Sequence, residues 1–306
     1  MQWFRTILAA TVIATIFTAC EDDSKKKEQD TTTAGHINIS VDETYKPVIQ
    51  EQLRVFDSSY PDAHITASYK PESECISDFL NNKARLVLVT RELSADEKKI
   101  CEQKKIVPSS MALVKDAIAV IVNPSSPDSM LSIQQIKGIL TGEYTKKKYT
   151  VVFDNQGSST VRYITDSLIP GMKLGPNVFA AKGNDSVVDY VARNPDAIGF
   201  IGLSYVSDET DPAAEKFLER VKVASVQNDS TQEFYKPYQA YVALKLYPFT
   251  RNLYFILRET YPGLGTGFAN FLSKERGQLI FSHARLFPLR MNIVIRDAAV
   301  NSSPQQ

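Results

Sequence analysis

The chain is poor in the groups on which much enzyme chemistry depends. Its 306 residues include three histidines, three cysteines and one tryptophan. His36, His64 and His283 lie far apart in sequence, and no metal-ligand spacing joins them to Cys20, Cys75 or Cys101, so no metal is expected. No histidine is near Cys75 or Cys101 in sequence, which leaves a thiol nucleophile with little support. Basic and acidic residues number 35 each, and a formal net charge of zero gives no argument for nucleic acid. No internal repeat is visible. After the N-terminal segment no second long apolar run follows, so the body is expected to be soluble.

The N-terminus has the parts of a signal peptide over residues 1–19. Arg5 supplies the positive charge, residues 7–17 form a short apolar run, and Phe17-Thr18-Ala19-Cys20 closes it with small residues before a cysteine. That ending resembles a bacterial lipoprotein box, with Phe17 where leucine is usual, and implies lipidation of Cys20. Residues 20–35 are expected to be a lipidated flexible tether, because residues 21–33 contain no apolar side chain and cannot bury a core. Glu21-Asp22-Asp23 resembles the surface-export signal of Bacteroidetes lipoproteins. The expected location is the cell envelope, on the periplasmic face or the outer surface, with membrane contact through the lipid only. In that compartment Cys75 and Cys101 either form a disulfide or stay as two buried thiols.

The body alternates strand and helix patterns. Strands are expected at 37–41, 65–69, 85–90, 117–122, 149–153, 197–206, 221–226, 249–258 and 291–294. Helices are expected at 47–59, 73–81, 94–105, 132–140, from 158 onward, at 186–193 and at 267–283. Ile49, Leu53 and Phe56 show the spacing of one helix face, and Ser94 with Glu97 forms a capping box in sequence. Such alternation argues for α/β architecture with parallel sheets, whose ligands bind beyond the carboxyl ends of strands.

Three polar clusters fall at such ends. They are Asp42-Glu43-Thr44-Tyr45, Thr90-Arg91, and Gly157-Ser158-Ser159-Thr160. In the last, a strand stops, a glycine turn follows and three hydroxyls open a helix, an arrangement suited to an oxyanion. Each residue also has a plainer role. Asp42 and Glu43 can be helix caps, and Tyr45 can fill the core or wall a pocket. Arg91 can bind an anion or pair with a carboxylate on the helix beginning at Ser94. Arg162 can reach the anion or pair with Asp166 one turn on.

Five segments in order resemble the PstS-type phosphate-binding proteins, the substrate-binding lipoproteins of phosphate ABC transporters. Thr44-Tyr45 with Pro47 is similar to the family's Thr-Phe-Pro loop. Thr90-Arg91-Glu92-Leu93 with Glu97 resembles its second ligand segment, and Gly157-Ser158-Ser159-Thr160 its Gly-Ser-Gly-Thr loop. Ala197-Ile198-Gly199-Phe200-Ile201-Gly202 and Tyr247-Pro248-Phe249-Thr250-Arg251-Asn252-Leu253-Tyr254 match two further segments. The resemblance implies a periplasmic binding protein type II fold, two α/β lobes with a ligand cleft between them. Lobe 1 would hold 36–118 and 222–300, and lobe 2 would hold 119–221. Phosphate ligands carried over are Thr44, Tyr45, Thr90, Arg91, Gly157, Ser158, Ser159 and Thr160, with Arg162 as an accessory. The family's arginine before the Gly-Ser loop is replaced here by Asp154-Asn155-Gln156, and its aspartate near Thr90 by Thr90-Arg91. Charge would therefore change places, with Arg91 as the cation and Asp42 or Asp154 accepting a phosphate proton. The implied protein is a monomer that binds inorganic phosphate or a similar oxyanion, needs no cofactor, performs no catalysis and serves a transporter permease. Alternatives are an oxyanion-sensing or surface lipoprotein of the same fold, and a secreted phosphoester hydrolase.

Overall fold

The computed structural model describes residues 30–205 and 219–292. Cys20 and the rest of the N-terminal segment before Asp30 lie outside the described residues.

The fold is organised around one long strand. β4 (Ser109–Val122) belongs to two sheets at once. Its first half pairs antiparallel with β12 (Thr250–Leu257). Its second half pairs antiparallel with β8 (Ala197–Gly202). On the first side the order continues through β3 (Leu86–Val89), β1 (Gly35–Asp42) and β2 (Ala63–Lys70), which run parallel to one another. On the second side β6 (Thr150–Phe153) and β7 (Val178–Ala180) extend the sheet in parallel with β8.

Helices cover these sheets for the reasons their sequences suggest. α1 (Lys46–Ser59) has proline in its first turn and buries Val48, Ile49, Leu53 and Phe56. α2 (Glu72–Leu80) follows β2, and α3 (Ala95–Gln103) carries the Ser94–Glu97 capping box. In the second lobe, after the short strand β5 (Met130–Leu131), α4 (Ile133–Thr141) opens on the reciprocal Ser132–Gln135 cap. It ends at Gly142 with φ 79°, a left-handed position that suits glycine. α5 (Ser159–Tyr163) passes into a π-type turn at Ile164–Leu168, and α6 (Asn184–Arg193) packs on β8.

The apolar cores divide with the sheets. One gathers Ile39, Val41, Phe56, Leu88, Leu113, Leu253 and Phe268, and another gathers residues from Ala117 through Phe249. The chain therefore passes between lobes twice, at Ala117-Ile118 and at Phe249-Thr250. The amide of Ile118 donates to the Phe249 carbonyl, tying the two crossings together. The resemblance placed the return at about 222. The segment instead stays with the second lobe up to Phe249, because Val221, Ala224, Val226, Val242 and Tyr247 bury their side chains there. β9 (Lys222–Val223) pairs with β4, and β10 (Ser225–Gln227) with β5 and with β11 (Phe234–Tyr235).

Four other expectations change. Residues 30–35 of the expected tether are fastened to the body. The Asp30 carboxylate accepts from the Leu264 amide (2.7 Å) and the Tyr261 hydroxyl (2.7 Å) and pairs with Arg85 (2.5 Å). The single helix at 267–283 is two, after the short α7 (Gln239–Ala243): α8 (Leu264–Ser273) and α9 (Glu275–His283), parted by an extended Lys274. In place of a strand at 291–294, a short β13 (Phe287–Pro288) pairs with β4, and residues 293–294 lie outside the described residues. Cys75 and Cys101 are free thiols, each buried among apolar side chains beside α2 and α3, and the Cys75 thiol donates to the Lys70 carbonyl. The disulfide alternative is therefore not realised.

Candidate functional site

The ends of β1, β3 and β6 and the start of α2 meet between the lobes. Contacts join the two sides directly. The Ser204 hydroxyl donates to the Thr44 carbonyl (2.8 Å), and the Tyr205 hydroxyl to that of Glu43 (3.1 Å). The Ser73 amide and hydroxyl reach the Gly157 carbonyl. Two glycines permit this approach. A Cβ on Gly202 would stand 2.1 Å from Thr44 Cγ2, and one on Gly157 would stand 2.6 Å from Ser73 Oγ. At Gly157 the absent side chain makes room for the opposite lobe.

The centre of the cleft is Arg251, on β12 beside the second crossing. It is 6% exposed. Its Nε donates to Asp116 Oδ2 (2.9 Å) and its Nη1 to Ser159 Oγ (2.8 Å), while Nη2 has no protein partner. Asp116 also accepts from Tyr45 Oη (2.7 Å), and the guanidinium lies over the Tyr45 ring. Tyr45 is thus a fully buried support for the arginine. Around Arg251 stand fully buried hydroxyls and carboxylates with atoms left unpartnered by the protein: Thr44 Oγ1, Thr160 Oγ1, Asp42 Oδ2 and Asp154 Oδ2. Ser158 caps α5 by accepting from the Val161 amide.

Arg251 is already paired with Asp116, and buried hydroxyls that lack partners cost about 1–3 kcal/mol each. The donor set fits an oxyanion. The carboxylates fit a ligand that also carries protons. Burial and then the nearby Glu72 charge, opposed by Arg251, Ser159 and the Thr44 amide, push the Asp42 carboxyl up to about 6. Burial likewise raises Asp154, with Ser158 and Arg251 opposing. Glu43 is pushed up to about 7 by burial and by the Asp154 and Asp42 charges. Arg251 itself is held above its ordinary range by Tyr45, Asp116 and Asp42 despite its burial.

Thr90, Arg91 and Arg162 form a second group at the rim. Glu72 Oε1 accepts from both the Thr90 amide and its hydroxyl (2.7 Å each), and Glu72 Oε2 from Arg162 Nε (2.5 Å). Arg91 is held by Glu97 through two bonds (2.6 and 2.8 Å), so the carboxylate on the helix after Ser94 takes its fork. Arg162 also lies 3.6 Å from Asp166. The most deeply buried arginine of the three is Arg251, which sequence reasoning quoted in a motif but did not assign. Its signal was present: on β12, Arg251 shares the buried parity of Leu253 and Phe255. Asp116 and Glu72 were also missed. Among the described residues no group of three or more histidine, cysteine or acidic side chains could hold a metal ion.

Two α/β lobes sharing one strand and meeting over a buried cation define a cleft-type binding protein. The chain belongs to the family described as the PBP superfamily domain, whose model matches residues 26–275. It is 24% identical over 311 residues to the phosphate-binding protein PstS of Bacillus subtilis, covering 97% of this chain and 95% of that protein. It is 23% identical over 222 residues to PstS of Pseudomonas aeruginosa, covering 65% of this chain and 69% of the relative. A Clostridium perfringens substrate-binding protein solved with bound phosphate has a TM-score of 0.70 at 23% identity, covering 83% of this chain and all of that one. Among the described residues no helix is long and apolar enough to cross a membrane.

Proposed function

We propose that this chain captures inorganic phosphate between its lobes and delivers it to the permease of an ABC transporter. The carrying observation is the unpartnered Nη2 of buried Arg251 beside the unpartnered Thr44 and Thr160 hydroxyls and the Asp42 and Asp154 carboxylates. Arg251, Thr44, Ser159 and Thr160 supply positive charge and donors. Asp42 and Asp154 accept the protons that phosphate retains near neutral pH, which a sulfate dianion lacks. Phosphate naming of the relatives in Bacillus subtilis and Pseudomonas aeruginosa supports the same ligand. The protein acts by binding alone, as a monomer held to the envelope through a lipid on Cys20. Its lobes close by bending at the two crossings beside Ile118 and Phe249.

Calorimetric titration with phosphate and then sulfate tests this reading. Phosphate is expected to bind, and sulfate at least about tenfold more weakly, because an aprotic anion leaves buried carboxylates repelled and unpaired. Equal affinities, or no response to phosphate, would overturn it.

A further inference from the structure

Glu72 is a buried carboxylate to which the proposed capture site assigns no role. It opens α2 in the first lobe and is 2% exposed. Its two oxygens answer different lobes. Oε1 is held by the amide and hydroxyl of Thr90 in its own lobe. Oε2 meets Nε of Arg162 (2.5 Å), which stands on α5 in the second lobe, and lies farther, at 3.9 Å, from Nε of Arg91 in its own lobe. Arg162 closes the triangle by donating from Nη2 to Thr90 Oγ1 (2.8 Å). One residue on, the Ser73 amide and hydroxyl reach the Gly157 carbonyl across the same gap. The start of α2 and the start of α5 are thus joined at the rim by an ion pair with one member almost wholly out of water.

We propose that Glu72 and Arg162 form a latch that holds the lobes closed, with Thr90 orienting the carboxylate, rather than serving as direct ligands of the captured anion. This rests on the reading of the cleft as a capture site. The side chains of Thr90 and Arg162 bond to Glu72 and to each other, and Arg162 also lies near Asp166 in its own turn, while the central donors belong to a separate set around Arg251. Separating the lobes would leave Arg162 with Asp166 in water, and Glu72 with the Thr90 donors and the more distant Arg91 (3.9 Å). Desolvated charge pairs of this kind bias a two-state equilibrium, since losing one partner strands the other.

The test measures lobe separation directly. Nitroxide labels at Lys98→Cys and Tyr190→Cys, both at exposed positions on helices of opposite lobes, report the distance by electron–electron resonance in full-length protein without and with added phosphate. Glu72→Gln and Arg162→Met are each expected to lower the closed-to-open ratio about tenfold, and the double variant no further, the mark of a shared interaction. A Glu72→Gln effect that persists undiminished in the Arg162→Met background would overturn the latch, as would unchanged distances in both single variants. Arg162 is at the partly exposed rim, so its variant keeps the test available if Glu72→Gln fails to fold. Because the distances are read before phosphate is added, failure of the latch is distinguishable from failure of phosphate binding.

Discussion

Arg251 owes its role to geometry that lysine cannot copy. One planar fork meets Asp116, meets Ser159 and still presents Nη2 to the cleft. Arg251→Lys keeps the charge beside Asp116 but gives up the simultaneous contacts, so phosphate affinity is expected to fall about 10- to 100-fold, the effect of one or two lost charge-assisted bonds. Calorimetry checks this, with a melting curve to show that the fold survives. Asp42 gives a pH signature. Its carboxyl is pushed up to about 6, and that of Glu43 to about 7. The folded chain therefore holds protons that the unfolded chain has released between about pH 4 and 7, and this contribution to stability is lost as pH rises through that window. Asp42→Asn removes its share, at most about 3 kcal/mol at pH 8. The variant is expected to melt higher than the parent at pH 8, by about 2–4 °C per kcal/mol, with the gain shrinking towards pH 4.5. Equal gains at both pH values would contradict the assignment. At this scale the sequence was only partly readable. Asp42, Thr44, Ser159 and Thr160 follow strand ends and could be named in advance. Arg91 could not be decided, because its choice between an anion and Glu97 depends on where α3 sits.

Elements were legible where one periodicity ran cleanly. α1 and α4 carry both a spaced apolar face and a start signal, α3 carries the start signal of its capping box, and β3 is a continuous apolar run buried on both sides. The first half of β4 was hidden by Ser109, Ser110, Lys115 and Asp116, polar residues that read as loop until β12 and the cleft explain them. The break at Lys274 was hidden because α8 and α9 share apolar character across it. The end of β8 makes a prediction at this scale. Gly202 lies where the second lobe touches Thr44, and an added Cβ would also come within 3.6 Å of Arg251 Nη2. Gly202→Ala is expected to leave each lobe folded and to oppose closure by about 1–3 kcal/mol, the usual cost of overpacking. Phosphate affinity should then drop roughly 5- to 150-fold with little change in circular dichroism. Unaltered affinity would show that the lobes need not approach this closely.

Over the whole molecule, the lobes are joined by two tied crossings and a shared strand. The two-lobed plan was legible through the order of five resembling segments, whereas the return point was not. Residues 221–249 carry short strands whose partners, β4 and β5, lie nearly a hundred residues earlier. The fastening of Asp30 was equally invisible, since its polar neighbourhood reads as tether. Asp30→Ala leaves Arg85 with Glu259 alone as a charge partner and uncaps the start of α8, so the melting point is expected to fall by the equivalent of about 1–3 kcal/mol while phosphate affinity stays unchanged. A lost affinity would tie the strap to the cleft. The most direct test of the central claim is a crystal structure with phosphate. The account predicts the anion between the lobes, within hydrogen-bond distance of Arg251 Nη2, Thr44 Oγ1 and Thr160 Oγ1, with a phosphate oxygen against Asp42 or Asp154. Phosphate held by Arg91 and Arg162 at the rim, with Arg251 uninvolved, would contradict it.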